Sequence, residues 1–351
     1  MKKRWISLGL TALLALALAG CKGSTKESTA PAPSQEGSSQ AQSLEGAKKE
    51  QQAVTLVLDW TPNTNHTGIY VALEKGYYKE AGIDLEIVQP PEDGAEVLTA
   101  SGKADFGISF QDTMSAALTG DSPLPITAVA ALVQHNTSGI ISRKGEGMDH
   151  PKGLEGKKYA TWNMDIEKAM LKTVVEEDGG DFSKVELIPS TVTDEVTALN
   201  TKQVDAIWIF YGWAGIAAKE KGLDFDYFAF KDLKAVFDYY TPVLIANNDL
   251  LKNHPEEAKA FLEATKRGYE DAIADPDGAA EILLKYAPEL DETIVKKSQE
   301  YLSAQYQADA SRWGEIDGNR WAGFYTWLND NQLLASPIDV KGGFTNDYLP
   351  Q

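Results

Sequence analysis

Apolar and polar positions in residues 54–131 follow two patterns that alternate along the chain. Short runs of β-branched and apolar residues predict strands, and apolar residues spaced three and four apart predict helices. The predicted strands cover residues 54–59, 83–88, 106–109 and 126–131. The predicted helices cover residues 68–81, 96–101 and 113–118. Strands separated by helices of this length indicate βαβ units, which build parallel sheets.

The same alternation starts again at residue 158. In this second series the predicted strands cover residues 158–161, 185–188 and 205–209. The predicted helices cover residues 165–177 and 195–200. The rest of the chain is mostly helical, with helices predicted at 255–271, 277–286, 291–301 and 318–330.

Two α/β series followed by a return of helices predict an α/β fold with two lobes. We place two hinge crossings near residues 137–141 and 240–245. Residues 53–139 and 245–351 then form lobe I, and residues 140–244 form lobe II. Ligands of open α/β sheets bind at the carboxyl ends of the strands, so two facing lobes predict a ligand cleft between them.

The first residues have the composition of a secretory signal. Lys2, Lys3 and Arg4 precede an apolar stretch at 5–19, which is shorter than the roughly 20 apolar residues of a membrane span. The stretch is followed by a Leu-Ala-Gly-Cys sequence that resembles the lipobox of bacterial lipoproteins. This resemblance implies a signal peptide that ends before Cys21, a lipid on the cysteine sulfur, and an anchor on the extracytoplasmic face of the cell membrane. The alternative is an ordinary cleavage site with an incidental cysteine.

Cys21 is the only cysteine in the chain. A sole thiol at the cleavage point agrees with an anchor and excludes disulfides, zinc–cysteine sites and thiol catalysis. Residues 21–52 are rich in Ser, Ala, Gly, Glu, Gln, Lys and Pro, which indicates a flexible tether. The net charge of the chain, −19 at pH 7, argues against partners such as nucleic acid or an anionic bilayer surface.

Several sequence blocks carry a resemblance to a known family. They are D-W-T-P-N-T-N-H-T-G-I-Y-V-A at 59–72, E-K-G-Y-Y at 74–78, G-K-A-D-F-G-I-S at 102–109, T-V-T-D-E-V-T-A-L at 191–199 and V-D-A-I-W-I-F-Y-G-W at 204–213. Through them the chain resembles the thiamine-pyrimidine precursor family over essentially its whole mature part. The bacterial members are ABC-transporter binding proteins for formylaminopyrimidine, of the ThiY type.

This resemblance implies the periplasmic-binding-protein fold of type II-like architecture, with two α/β lobes and two hinge crossings. It also implies a small-molecule pyrimidine ligand that is passed to the permease and ATPase subunits of an ABC importer and serves thiamine biosynthesis. We expect a monomer, and we expect no cofactor and no metal.

A flat aminopyrimidine presents two aromatic faces and an edge that carries ring nitrogens and an amine. Aromatic side chains suit the faces, and a carboxylate suits the amine because hydrogen bonds to charged groups are stronger than neutral ones. The loops after the predicted strands supply both types. The candidate ligand-binding residues are Asp59, Trp60, Asn65, His66, Phe110, Gln111, Trp162, Glu195, Tyr211 and Trp213.

The candidates also have structural interpretations. Trp60 and Trp162 could pack at a rim or in a core, and His66 could cap its own loop. Glu195 could be a surface carboxylate favoured by the helix dipole, with Thr193 as the helix cap. Four further tryptophans are assigned to packing and left out of the site: Trp208, Trp313, Trp321 and Trp327.

The family that the chain resembles also has fungal members that are pyrimidine synthases. These enzymes use pyridoxal phosphate on a lysine and consume a histidine. In this chain Ser109 stands at the lysine position and Thr113 at the histidine position, and the fungal cysteine cluster is missing. A Schiff base needs an amine, so we expect a binding protein and not an enzyme.

Other solutes are the stronger alternative, because relatives of this architecture bind sulfonates, nitrate or riboflavin-like molecules. Anion sites use helix N-termini and arginine side chains. Arg143 is the only arginine between residues 21 and 266. The sequence therefore favours a neutral or cationic aromatic ligand.

Overall fold

The computed structural model describes residues 51–190 and 192–351. The predicted signal peptide, Cys21 and nearly all of the predicted tether lie outside these residues. Within the described part of the chain, every helix is too short or too polar to cross a membrane.

The strands, numbered in chain order, carry the two sheets of the fold. They are β1 Gln52–Val57, β2 Ile83–Val88, β3 Phe106–Ser109, β4 Ile126–Ala131, β5 Ser138–Arg143, β6 Lys158–Thr161, β7 Glu186–Pro189, β8 Ala206–Phe210, β9 Phe225–Ala229 and β10 Val243–Asn247. Sheet A has the order β2-β1-β3-β10-β4, and sheet B has the order β7-β6-β8-β5-β9.

The helices cover the sheets and fill the C-terminal part of the chain. They are α1 Thr67–Glu74, α2 Tyr77–Glu80, α3 Gly94–Ala100, α4 Gln111–Ala117, α5 Asp165–Glu177, α6 Glu195–Asn200, α7 Ile216–Glu220, α8 Phe230–Leu233, α9 Asn248–Asn253, α10 Pro255–Ala274, α11 Pro276–Tyr286, α12 Glu292–Ser303 and α13 Gly318–Asp330. The helix predicted at 68–81 is divided into α1 and α2, because Gly76 adopts a left-handed φ of 78° between them.

The two sheets are mixed, so the prediction of parallel sheets is wrong for one strand in each. In sheet A, β10 runs antiparallel to both β3 and β4. In sheet B, β5 runs antiparallel to both β8 and β9. Each antiparallel strand is the first strand that the chain forms after it passes from one sheet to the other. The strand before it lies in the other sheet, so no helical crossover within one sheet sets it parallel to its neighbours.

The chain passes between the sheets twice, as predicted. The first crossing covers residues 132–137, and the second covers residues 230–242. The residue boundaries assigned to the two lobes stay a prediction.

Close packing of α1 on α10 fixes the start of α1 beside the end of sheet A. A Cβ at Gly268 would lie 2.0 Å from the carbonyl oxygen of Gly68, and a Cβ at Gly68 would lie 2.3 Å from the ring of Tyr269. Only glycine permits this approach at either position. The loop that precedes α1 is therefore held at a constant position against the C-terminal helices.

Candidate ligand-binding site

A cavity of about 320 Å³ lies where the carboxyl ends of both sheets face each other. Its walls come from the loops after β1, β3, β6 and β8, from the start of α6, and from both crossings. The lining residues are Asp59, Trp60, Asn63, Asn65, Phe110, Thr137, Trp162, Glu195, Trp208, Ile209, Phe210, Trp213, Ala214, Thr241 and Pro242. This is the place that the two-lobed fold predicts for a ligand.

Two tryptophans in this lining are unusually exposed for large aromatic residues. Trp60 is 56% exposed and Trp162 is 44% exposed, and they follow β1 and β6 respectively. The ring of Trp162 lies 5.9 Å from the ring of Trp208, which in turn packs 4.1 Å from Phe230. The cavity therefore has aromatic walls with free faces, which suits a flat ring.

A stacked aromatic pair joins the two sheets at the cavity. Phe110 follows β3 in sheet A, and Phe210 ends β8 in sheet B. Their ring centroids are 5.9 Å apart with an interplanar angle of 16°. This pair gives the cavity an apolar floor made by both halves of the fold.

Asp59 places a carboxylate at the cavity, and His66 orients it. Nε2 of His66 lies 2.7 Å from Oδ1 of Asp59. The backbone N–H of Asn63 donates to Nδ1 of His66 at 3.3 Å, so the ring proton is on Nε2 and is donated to Asp59. No protein partner among the described residues is bonded to Oδ2 of Asp59, which leaves this oxygen for a ligand.

The loop before α1 is held by two buried tyrosines, one in α10 and one in the segment after α12. The hydroxyl of Tyr269 donates to the carbonyl of Asn65 at 2.6 Å, and the hydroxyl of Tyr306 donates to the carbonyl of Thr64 at 2.5 Å. The Asn63 side chain accepts from the N–H of Asn65 at 2.9 Å. Fixed backbone carbonyls and amides keep the Asn63 and Asn65 side chains at the cavity wall.

Glu195 supplies a second carboxylate, from the first residue of α6. The N-cap of this helix is Asp194, whose side chain accepts the N–H of Thr197 at 3.3 Å. Thr193 is therefore not the cap, contrary to our prediction, because the carboxylate next to it takes that position. Glu195 is half-buried and lines the cavity.

The two carboxylates are the only charged side chains among the described residues that line the cavity. Arg143 is used elsewhere, since its guanidinium donates to Glu146 at 2.8 Å and to the carbonyls of Leu199 and Val204 at 2.9 Å. A negative lining without a nearby cation favours a neutral or cationic ligand over an anion. In the described residues, no group of three or more His, Cys, Asp or Glu is placed to hold a metal ion.

Seven of the ten candidate residues line the cavity, and three do not: His66, Gln111 and Tyr211. His66 is fully buried and acts on the cavity through Asp59. Gln111 is fully buried as well; its amide donates to the carbonyl of Trp321 at 2.8 Å and accepts the N–H of Tyr240 at 3.0 Å. Both ends of this amide are therefore occupied by the protein.

Tyr211 also packs within the protein instead of facing the cavity. Its ring lies 5.1 Å from that of Tyr227, 5.3 Å from that of Tyr301 and 6.5 Å from that of Phe225. The five-residue π-helical turn Tyr211–Gly215 directs Trp213 to the cavity.

The sequence prediction missed several lining residues. Trp208 was assigned to the core; it is 5% exposed and packs in the core, but it also lines the cavity. Thr137, Thr241 and Pro242 belong to the crossings. The predicted crossing positions were the signal that could have found the latter three.

The amino-acid sequence is similar to those of several known proteins. The model of the NMT1/THI5 like family matches residues 63–279. The chain is 28% identical to the formylaminopyrimidine-binding protein of Halalkalibacterium halodurans, over 84% of this chain and 90% of that protein. It is 25% identical to the 4-amino-5-hydroxymethyl-2-methylpyrimidine phosphate synthase THI5 of Saccharomyces cerevisiae, over 84% and 87%. It is also 25% identical to the riboflavin-binding protein RibY of Chloroflexus aurantiacus, over 100% and 99%.

Solved structures show the same fold at low sequence identity. The periplasmic aliphatic sulphonate binding protein SsuA of Escherichia coli superposes with a TM-score of 0.64 at 13% identity, over 83% of this chain and 96% of that one. The periplasmic nitrate-binding protein NrtA of Synechocystis superposes with a TM-score of 0.63 at 16% identity, over 85% and 87%. The predicted α/β periplasmic-binding-protein fold is thus confirmed. Because the family match covers more than half of its residues, this chain belongs to the NMT1/THI5 like family.

Proposed function

We propose that the protein binds a thiamine pyrimidine precursor of the formylaminopyrimidine or hydroxymethylpyrimidine type and delivers it to an ABC importer. The observation that carries this proposal is the composition of the cavity, with exposed faces of Trp60 and Trp162 as walls and the carboxylates of Asp59 and Glu195 at its edge. A stacked aromatic pair contributes about 0.5–1.5 kcal/mol beyond burial, and a hydrogen bond to a charged group about 1.5–3 kcal/mol.

Binding without catalysis is favoured over a pyridoxal-phosphate enzyme. No lysine is among the described residues that line the cavity, and a Schiff base requires an amine. Ser109, at the position of the fungal lysine, is buried and donates its hydroxyl hydrogen to Glu96. A hydroxyl that is already committed to a carboxylate supports a structural role for this position.

A sulfonate or nitrate ligand is disfavoured by charge. Asp59 and Glu195 would repel an anion, and the described lining holds no arginine or lysine to compensate for that repulsion. A riboflavin-like ligand is flat and neutral, so the charge of the cavity does not discriminate against it. The pyrimidine is preferred because it presents an amine to two carboxylates.

Membrane attachment is part of this proposal. Lipid on Cys21 would hold the protein at the extracytoplasmic face, next to the permease and ATPase subunits of the importer. Cys21→Ser should release the mature protein from the membrane fraction without a change in ligand affinity. A variant that stays in the membrane fraction, or a wild-type protein that never incorporates radiolabelled palmitate, would contradict the anchor.

The proposed ligand is tested by thermal unfolding and calorimetry with a panel of solutes. Formylaminopyrimidine and hydroxymethylpyrimidine should raise the melting temperature, because a ligand that binds only the folded state stabilises it. Taurine and nitrate should raise it far less. A preference for a sulfonate or for nitrate would overturn the proposal, and a preference for riboflavin would keep the binding function but replace the ligand.

A further inference from the structure

Glu167 is a carboxylate buried directly behind the loop that carries Trp162. The residue is 4% exposed. Each of its two carboxylate oxygens accepts two hydrogen bonds. Oε1 accepts from the hydroxyl of Tyr159 at 2.8 Å and from the N–H of Trp162 at 3.1 Å. Oε2 accepts from the hydroxyl of Thr161 at 2.9 Å and from the N–H of Met164 at 3.3 Å. A buried carboxylate is tolerated when its lone pairs are satisfied in this way.

The backbone amide of Asn163, between Trp162 and Met164, is fixed by the same hydrogen-bond network. The N–H of Asn163 donates to Oγ1 of Thr161 at 2.9 Å, and the hydroxyl of Thr161 in turn donates a hydrogen bond to Glu167. Asn163 has a φ of 65°, a left-handed conformation that costs energy for a residue other than glycine and persists only when its surroundings impose it. Three consecutive amides, at 162–164, thus depend on one carboxylate.

We propose that Glu167 is a positioning residue for Trp162, setting the direction in which this indole projects into the cavity. Trp162 is 44% exposed, so packing around the indole restrains it less than it restrains a core tryptophan. The fixed backbone before and after it supplies the missing restraint. The inference rests on the proposed function in one respect, namely that Trp162 is a wall for the ligand.

A purely structural role for Glu167 makes a different prediction. Glu167 is the third residue of α5 and reaches back to the N–H of Met164, the N-cap residue. If it only caps the helix, its loss lowers the free energy of unfolding and leaves the affinity of the folded protein unchanged. If it positions Trp162, its loss lowers the affinity, and it does so only while Trp162 is present.

The test is a double-mutant cycle of Glu167→Gln and Trp162→Ala, with formylaminopyrimidine as the probe and calorimetry as the readout. The NH2 group of glutamine must face the backbone N–H of either Trp162 or Met164, which cannot accept a hydrogen bond, so the variant loses one of these two backbone contacts. We expect Glu167→Gln to weaken binding about three- to tenfold alone and less than about twofold in the Trp162→Ala background. Glu176→Gln, an exposed position on the same helix, should bind as the wild type does. Equal losses in both backgrounds, or no loss in either, would overturn the proposal.

Hydrogen exchange tests, without a ligand, whether Glu167 fixes the backbone around Trp162. In Glu167→Gln the amides of residues 162–164 should exchange at least about tenfold faster, whereas those of Leu171 and Val174 in the middle of α5 keep their rates. Equal acceleration along α5, or unchanged loop amides, would reject positioning. If the wild type binds no pyrimidine, the proposed function fails, but hydrogen exchange still tests whether Glu167 fixes the amides of residues 162–164. If Glu167→Gln does not fold, Thr161→Val replaces it and should release the amide of Asn163.

Discussion

Nε2 of His66 donates a hydrogen bond to Oδ1 of Asp59 over 2.7 Å, and the imidazole is completely buried behind the carboxylate. The N–H of Asn63 occupies Nδ1 of the same ring. His66 therefore acts as an oriented donor that holds one oxygen of Asp59 and leaves the other at the cavity. Orientation by a buried group limits the conformational entropy that the carboxylate loses when it binds a ligand.

Asp59→Asn should weaken the binding of an aminopyrimidine about tenfold or more, because a hydrogen bond to a charged acceptor is worth about 1.5–3 kcal/mol. The variant keeps the shape of the side chain, so the melting temperature without ligand should change little. Calorimetry on the wild type and on Asp84→Asn, an exposed aspartate on β2, provides the comparison. Unchanged affinity in Asp59→Asn would show that this carboxylate does not bind the amine.

His66→Phe should lower the affinity through Asp59. The ring volume is kept in a fully buried position, but the donor to Oδ1 is lost. We expect a loss of affinity that is smaller than that of Asp59→Asn and that does not add to it in the double variant, since both changes act on one carboxylate. Additive losses in calorimetry would mean that His66 acts independently of Asp59.

The sequence predicted seven of the ten strands among the described residues but not the direction of every strand. The bounds predicted for β2, β3, β4 and β6 are those observed, because each is a short apolar or alternating segment between turn residues. β5, β9 and β10 were not predicted as strands, and β5 lies between the two alternating series. Its hydrogen-bond partners are the distant strands β8 and β9, and such pairing is a tertiary property that a local pattern does not contain.

In the candidate site, too, some residues could be predicted from the sequence and others could not. Residues in the loops that follow a strand, such as Trp60, Phe110 and Trp162, could be predicted because the carboxyl ends of strands converge in this fold. Glu167 could not be predicted, because it is one of many acidic residues in an acidic chain and Met164, at the N-cap, is not one of the residue types that mark a capping box. Its burial becomes visible only in the packed structure.

Trp60→Ala and Glu195→Gln should affect ligands differently. Removing the Trp60 face should weaken every flat heteroaromatic ligand, because stacking does not distinguish the edges of a ring. Glu195→Gln should weaken the aminopyrimidine about tenfold or more and an analogue without the 4-amino group much less. Calorimetry of both ligands on both variants gives the cycle. Equal losses for the two ligands in Glu195→Gln would return this carboxylate to a helix-terminus role.

Asp112 should make the protein less stable as the pH rises from about 4 to 6. Burial raises the pKa of Asp112 to about 6, and its Oδ1 has no hydrogen-bond partner among the described residues. The folded protein holds this proton more tightly than the unfolded chain does. The free energy of unfolding therefore falls through this window, and the whole penalty is present above pH 6.

Asp112→Asn imitates the protonated acid and should remove this dependence. Relative to the wild type, it should gain on the order of 1–3 kcal/mol between pH 4 and pH 7. Urea unfolding at four pH values in this range measures the gain, with the exposed Asp121→Asn as the control. Parallel curves for wild type and Asp112→Asn would contradict the assignment.

His135 should impose a second pH dependence, in a higher range, on the region where the two crossings meet. Its Nδ1 lies 2.6 Å from Oδ2 of Asp238 in the second crossing, and its Nε2 lies 3.0 Å from Oδ1 of Asp309 after α12. The hydrogen bond to Asp238 is the main reason that the pKa of His135 is raised above its ordinary value, while burial and the nearby Arg320 oppose this rise.

A raised histidine pKa stabilises the fold fully below about pH 6.5, and that stabilisation is lost as the pH rises through the folded pKa. The free energy of unfolding should therefore decline as the pH rises above 6.5 in the wild type and stay flatter in His135→Gln. Asp309 is largely exposed, at 73%, so Asp309→Asn should keep most of the decline, whereas Asp238→Asn should lose it. Chemical unfolding at pH 6, 7, 8 and 9 measures all four proteins. An equal decline in wild type and His135→Gln would mean that the bridge between the crossings is not carried by the charge of this histidine.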